Sequence, residues 1–276
     1  MSTLLGVAHG SRDHGSQEVV RGLLTSVGAL RPGLRTQDAY VDNAGPSIRA
    51  ALTDLVEQGE QDIVVVPLLL GAASHSKTDV AGSVQAGRLA HPQLHLRYGR
   101  PLGPHPVIID VLAQRLAEVG VADDPVVLVA GGALDPDANA GVAASARLLW
   151  EGRRYPSVDI AFVSTTGPTV PQALERLWAL GHRRVALSRY FLGPGRLPRL
   201  VQHQAETVQG VEVVVSEHLG VTPALAALVL ERYDEARTGD VRMNCDACLY
   251  RRPYAGLETA VGAPQTPHTH PDDPLA

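Results

Sequence analysis

A displacement of 122 places lays the second half of this chain over the first without a gap. Ala130-Gly131-Gly132-Ala133-Leu134-Asp135 falls under Ala8-His9-Gly10-Ser11-Arg12-Asp13, and Leu192-Gly193 falls under Leu70-Gly71. Between them, Ala161-Phe162-Val163-Ser164-Thr165-Thr166-Gly167-Pro168-Thr169 falls under Ala39-Tyr40-Val41-Asp42-Asn43-Ala44-Gly45-Pro46-Ser47. An ungapped register across about 70 residues marks a duplicated structural unit. The join lies near Gly120 to Pro125, which divides the chain into a domain at 1–122, a second copy at 123–238 and a tail at 239–276.

Within the first copy, strand and helix signals alternate. Leu4 to Ala8 and Ile63 to Leu70 are continuous apolar runs, the pattern of strands buried on both faces of a parallel sheet. Thr36 to Val41 and Leu94 to Tyr98 supply two more. Between the strands, Val19, Val20, Leu23, Leu24, Val27 and Leu30 line one face of a helix over Gln17 to Leu30, closed by Arg31-Pro32-Gly33. Gly45-Pro46-Ser47 opens a helix bearing Ile48, Ala51, Leu52, Leu55 and Val56. A weaker helical pattern covers Val80 to Leu89, and a further helix runs from about Pro106 to Val119. Four β-α repeats require right-handed crossovers and a parallel sheet covered by helices. The fold class is α/β: two tandem four-stranded parallel sheets flanked by helices, followed by an irregular C-terminal tail.

Composition removes several functions. A net charge of -5 argues against general nucleic-acid binding, and no apolar stretch approaches the ~20 residues needed to span a bilayer. The first residues enter a strand without the basic start of a signal peptide, and two Cys in 276 residues form no disulfide framework. A cytoplasmic protein is expected. No P-loop or GxGxxG follows a strand, so nucleotide dependence is not indicated.

The two copies differ where chemistry is most readily placed. At the 122-residue displacement His9 faces Gly131, Asp42 faces Ser164 and His75 faces Leu197. Each of these polar residues follows a strand of the first copy, the first, second and third respectively, and His75 lies in the small-residue loop GAASHSK. With strand order 2-1-3-4 these strands are neighbours at about 4.8 Å, and the three side chains can converge above the carboxyl edge of the sheet. Two imidazoles and a carboxylate suit a borderline divalent metal with coordination positions left open. His14, His91, His95 and His105 are read as surface or loop residues.

The segments His9-Gly10-Ser11-Arg12-Asp13, Tyr40-Val41-Asp42 with Gly45-Pro46-Ser47, and Val66-Pro67-Leu68 leading to His75-Ser76-Lys77-Thr78-Asp79 together resemble the class II chelatases. That family includes the sirohydrochlorin cobaltochelatases of cobalamin synthesis and the ferrochelatases of sirohaem synthesis, and the likeness is to its long, two-domain form. It implies two chelatase-like domains, the second degenerate, that insert Co2+ or Fe2+ into the tetrapyrrole sirohydrochlorin. His9 and His75 would hold the ion, one of them taking a pyrrole proton, with Asp42 as a further ligand or orienter. Family members usually carry Glu at that place; Asp42 is one methylene shorter. Ser11, Arg12, Ser74 and Lys77 are the candidates to meet the substrate's carboxylates, with Arg189, Arg196 and Arg199 of the second copy as weaker ones. His9-Gly10 also suggests a histidine phosphatase, but the Arg expected just before that His is Ala8 here. A carrier of metal or tetrapyrrole without turnover is the alternative from a different class. A homodimer is a candidate assembly.

The tail carries both cysteines of the chain, in Met243-Asn244-Cys245-Asp246-Ala247-Cys248, and His268-Thr269-His270 in a Pro-rich end. Some long-form cobaltochelatases resemble this, with an MxCxxC segment associated with an iron–sulfur centre, which tilts the metal toward cobalt. Two thiolates do not complete a four-Cys cluster. Zinc held by Cys245, Cys248, His268 and His270 is the rival, and an irregular tail with idle thiols is the third reading.

Overall fold

The structure is a computed structural model that describes residues 2–72, 75–239 and 241; for His75 the backbone alone is described. In order, its elements are β1 (Thr3–Ala8), α1 (His14–Leu30), β2 (Thr36–Tyr40), α2 (Ile48–Glu57), β3 (Asp62–Pro67), a π-helix (His75–Val80), α3 (Ala81–Ala90), β4 (His95–Tyr98) and α4 (Pro106–Glu118). The second copy repeats them as β5 (Val126–Ala130), α5 (Pro136–Arg153), β6 (Val158–Phe162), α6 (Val170–Ala179), β7 (Arg184–Arg189), α7 (Arg196–Ala205), β8 (Glu212–Val215) and α8 (Pro223–Thr238). Both sheets are parallel, ordered β2-β1-β3-β4 and β6-β5-β7-β8. Each first strand therefore sits inside its sheet, with the chain reversing direction across it.

Every residue of β1 and of β5 is buried, as their continuous apolar runs require. On one face of the first sheet, Leu5, Val7, Ile63, Val65 and Leu96 pack against Ile48, Ala51, Leu52 and Leu55 of α2 and Val84 of α3. Burying each such aliphatic side chain contributes roughly 1.5–3 kcal/mol. In α1, Val20, Leu23, Leu24 and Val27 are buried as their spacing predicts, whereas Leu30, the last residue of the helix, is half exposed. Helix starts are set by side chains the sequence already supplies. Asp13 accepts the Gly15 N–H and Ser47 the Ala50 N–H, while Thr169 and Gln172 form a reciprocal capping box.

The compact units do not follow the two sequence copies. One runs to Leu102 and resumes at Val221; the other spans Gly103–Gly220. The cause is the last helix of each copy: α4 packs on α5 and β7, whereas α8 packs on α1, β3 and β4. The join read near 122 is thus a boundary of the repeat, and the spatial units change over just after β4 and just after β8. Arg232 of α8, 1% exposed, holds this arrangement in the first unit. It donates to the carbonyls of Pro101 (3.1 Å) and Leu102 (3.3 Å) and to the carboxylates of Glu231 (2.8 Å) and Glu235 (2.9 Å). Tyr233, also buried, donates its hydroxyl to the Ser2 carbonyl at 2.7 Å. Replacing Arg232 by Met is expected to destabilise the protein by about 3 kcal/mol, because the buried Pro101 and Leu102 carbonyls lose the guanidinium donor, while Glu235 keeps Arg100. Urea unfolding of the variant measures it.

Two sequence expectations change here. Ladder registers of the first three strands match between copies at a displacement of 122, since Leu4 pairs with Thr36 and Val64, and Val126 with Val158 and Ala186. At the fourth strand the displacement drops to 117, since Val65 pairs with Tyr98 and Leu187 with Val215. Val80 and Val84 then correspond to Leu197 and Val201, which face the equivalent core in the second unit. Leu197 is therefore not the counterpart of His75. The first copy carries extra chain between Gly71 and Val80, and His75 lies within it. The second change is local: the segment expected as loop through Lys77 is a π-helix from His75 onward.

Candidate metal-binding site

At the carboxyl edge of the first sheet, pairing continues one step past β1 and β2. Val41 donates to the Ala8 carbonyl (3.0 Å) and Asp42 to that of His9 (2.9 Å). His9 and Asp42 thus leave the ladder side by side, His9 exposed and Asp42 half-buried. The next residue must be glycine. Gly10 has φ +100°, and a Cβ there would lie 1.7 Å from the Asp42 carbonyl oxygen.

The Asp42 carboxylate is aimed by its neighbour. Asn43, left-handed at φ 57°, donates its backbone N–H to Oδ1 and its side-chain amide to Oδ2, both at 2.7 Å. The clasp fixes the orientation of the carboxylate. Sequence reasoning passed over Asn43; its signal was an Asn directly after an acidic strand end, a residue type that tolerates this backbone and closes such turns.

His75 is the first residue of the π-helix that follows the third strand, and the next residue, Ser76, is buried. Lys77, half-buried, lies in the same helix. Ser11 is bound into the start of α1: its hydroxyl accepts the Asp13 N–H (3.1 Å) and its carbonyl the Gln17 amide (3.2 Å). Arg12 is exposed beside it. In the second unit Arg189 ends β7 with Glu217 at 4.0 Å, and Arg196 and Arg199 are exposed on α7. His105 caps the start of α4, its Nδ1 accepting the Val107 N–H (3.2 Å). Ser74, Cys245, Cys248, His268 and His270 lie outside the described residues. Among the described residues no three His, Cys, Asp or Glu side chains gather as a metal site; the His75 side chain is not one of those described.

The second unit keeps the same backbone path and none of the candidate ligands. Val163 donates to Ala130 (3.0 Å) and Ser164 to Gly131 (3.1 Å). Gly132, at φ +87°, would bring a Cβ 2.1 Å from the Ser164 carbonyl oxygen. Thr165 repeats the left-handed Asn43 at φ 68°, and the Gly45-Pro46 cis peptide recurs at Gly167-Pro168. At the place of Asp42, the Ser164 hydroxyl turns back onto the Gly131 carbonyl (2.9 Å). At the place of His9, Gly131 is covered by Leu197 and Phe191, whose carbons stand 3.3 and 3.8 Å from where its Cβ would be. Apolar side chains fill the crevice that the first unit leaves polar.

No helix among the described residues is long and apolar enough to cross a membrane. Compared with known proteins, the chain is 32% identical over 263 residues to the sirohydrochlorin cobaltochelatase of Priestia megaterium, covering 91% of this chain and 85% of that one. It is 26% identical over 235 residues to the sirohydrochlorin ferrochelatase of the same organism, covering 83% and 88%. Among solved structures, SirB from Bacillus subtilis with Fe3+ superposes with a TM-score of 0.76 at 26% identity, covering 87% of this chain and 98% of that one. The CbiX family model matches twice, over residues 3–119 and 125–236, once for each copy. This chain belongs to the CbiX family.

Proposed function

We propose that this protein is a chelatase, an enzyme of the lyase class that inserts a divalent metal ion into sirohydrochlorin, with Co2+ favoured and Fe2+ the alternative. The observation that carries the reading is the emergence of His9 and Asp42 side by side at the switch point of the first sheet, in a chain of this family, while the same point in the second unit is closed by Leu197 and Phe191. Ligands in open parallel sheets bind at that edge.

The reaction sets the roles. A free macrocycle carries two pyrrole protons that leave as one divalent ion enters, so the ion must be held on one face while a base receives protons. Neutral imidazole does either near pH 7. His9 and His75 hold the incoming ion, and as it passes to the ring one of them, released from the ion, accepts one pyrrole proton while the other proton goes to water. Asp42, oriented by Asn43, supplies a negative charge that offsets that of the ion. Imidazole and carboxylate accept cobalt and iron alike, so the preference for cobalt rests on the greater identity to the cobaltochelatase. Ser11, Arg12, Ser74 and Lys77 are assigned to the substrate's carboxylates.

The test is anaerobic incubation of catalytic amounts of protein with sirohydrochlorin and Co2+, then Fe2+, followed by the visible spectrum of the tetrapyrrole. Conversion of many equivalents per protein is expected. Conversion that stops at one equivalent, or none, overturns the reading in favour of a carrier. Iron and zinc contents of the same preparation, with and without Cys245→Ala, report on the tail centre proposed from Cys245, Cys248, His268 and His270.

A further inference from the structure

The helix that begins at His75 is wound in an uncommon way, and one side chain outside it holds its first turn. Hydrogen bonds from i to i+5 are rare and occur mostly as single turns at functional sites. Such a turn competes with ordinary α pairing, and a slip by one residue re-aims its side chains by roughly 100°. It persists where neighbouring groups over-determine it. Here the restraint is Tyr98, the last residue of β4, whose hydroxyl donates to the Ser76 carbonyl at 2.5 Å, the short end of the O–H···O range. Burial pushes the Tyr98 phenol well above its ordinary pKa, so it stays a protonated donor. Its ring packs on the core shared by β1, β3, α2 and α3, which fixes where that donor points.

The other copy is an internal control. By strand register Val215 stands where Tyr98 does, so no hydroxyl is present. The corresponding helix there, α7, is an ordinary α-helix entered through Gly195, and it carries Leu197 in place of Val80. The π-turn, the tyrosine and the histidine occur together in one unit and are all missing from its twin.

We infer that Tyr98 is a positioning residue for metal insertion, its hydroxyl locking the π-turn that presents His75. This rests on the reading of His75 as a metal ligand, and the experiment keeps the two apart. Tyr98→Phe removes one oxygen and keeps the ring. Partners behind a ligand typically change metal affinity or activity by 10–100-fold when lost. In Tyr98→Phe, kcat/KM for Co2+ is therefore expected to fall roughly 10–100-fold, with KM for sirohydrochlorin unchanged. Binding of Co2+ alone, followed by its visible absorption, should weaken in parallel. Amides of residues 76–80 should exchange hydrogen about tenfold faster or more while those of β1 and β3 keep their protection. A tyrosine that only stabilised the fold would lower the thermal midpoint and the active fraction, leaving both KM values in place. Wild-type kcat/KM for Co2+ in Tyr98→Phe, with His75→Ala inactive, overturns the inference and spares the ligand assignment. Wild-type insertion by His75→Ala overturns both. If Tyr98→Phe yields no folded protein, the same amides are followed in the wild type. Exchange of 76–80 as fast as in unstructured chain would then refute a locked turn.

Discussion

Alanine in place of His9 or of His75 is expected to lower metal insertion by roughly 10²–10⁴-fold, the scale of losing a proton acceptor or a ligand at the reacting centre. The fold should survive. His9 is exposed, and what it gives the sheet is its backbone carbonyl, which accepts the Asp42 N–H and remains in the variant. His75 is the opening residue of its helix. Initial rates with Co2+ and with Fe2+, beside far-UV circular dichroism and thermal midpoints, separate chemistry from folding. An enzyme lacking either imidazole yet inserting metal at the wild-type rate would remove these residues from the mechanism.

The second large effect comes from a methyl group. Gly10→Ala combines a backbone conformation that L-residues rarely adopt with a Cβ placed 1.7 Å from the Asp42 carbonyl oxygen, so the β1 and β2 outlets must part. The expected destabilisation is about 3–6 kcal/mol, summing backbone strain with overpacking against main chain that cannot give way. Gly132→Ala makes the same demand in the second unit, at 2.1 Å from the Ser164 carbonyl oxygen. The two variants form a matched pair. Both should lower the unfolding midpoint in urea, but only Gly10→Ala should lose insertion per folded molecule, because only there does the displaced strand carry a proposed ligand. Equal loss of chemistry in the pair would mean that the second crevice takes part in the reaction.

Much of this architecture was legible because it is written in apolar periodicity and in a repeat. The runs at Leu4 to Ala8 and Ile63 to Leu70 have no stable place except a doubly covered sheet, and the 122-residue displacement extends into matching ladder registers. Strand order followed from the topology common to such sheets, and it put His9 beside Asp42. The region around His75 was harder to read. Polar residues such as His75, Ser76, Lys77 and Thr78 show no helical or strand period, so a π-turn leaves no pattern to detect. The displacement that aligns Gly71 with Gly193 continues by eye onto Leu197, and only the pairing of β4 and β8 reveals where the copies change length. Asn43 was missed for a different reason: its contribution lies in a left-handed backbone and two hydrogen bonds to a neighbour, and residue type alone does not report either.

The exchange of α4 and α8 gives the second copy a structural task in the first unit. The lobe with the imidazoles is roofed on one side by a helix encoded more than a hundred residues after its last strand, with Arg232 and Tyr233 tied to main-chain carbonyls at Pro101, Leu102 and Ser2. A gene cut at the repeat boundary would produce two fragments, each missing a wall that the other one holds. Each half is thus carpentry for the other, since the helix that closes either sheet is encoded in the opposite repeat.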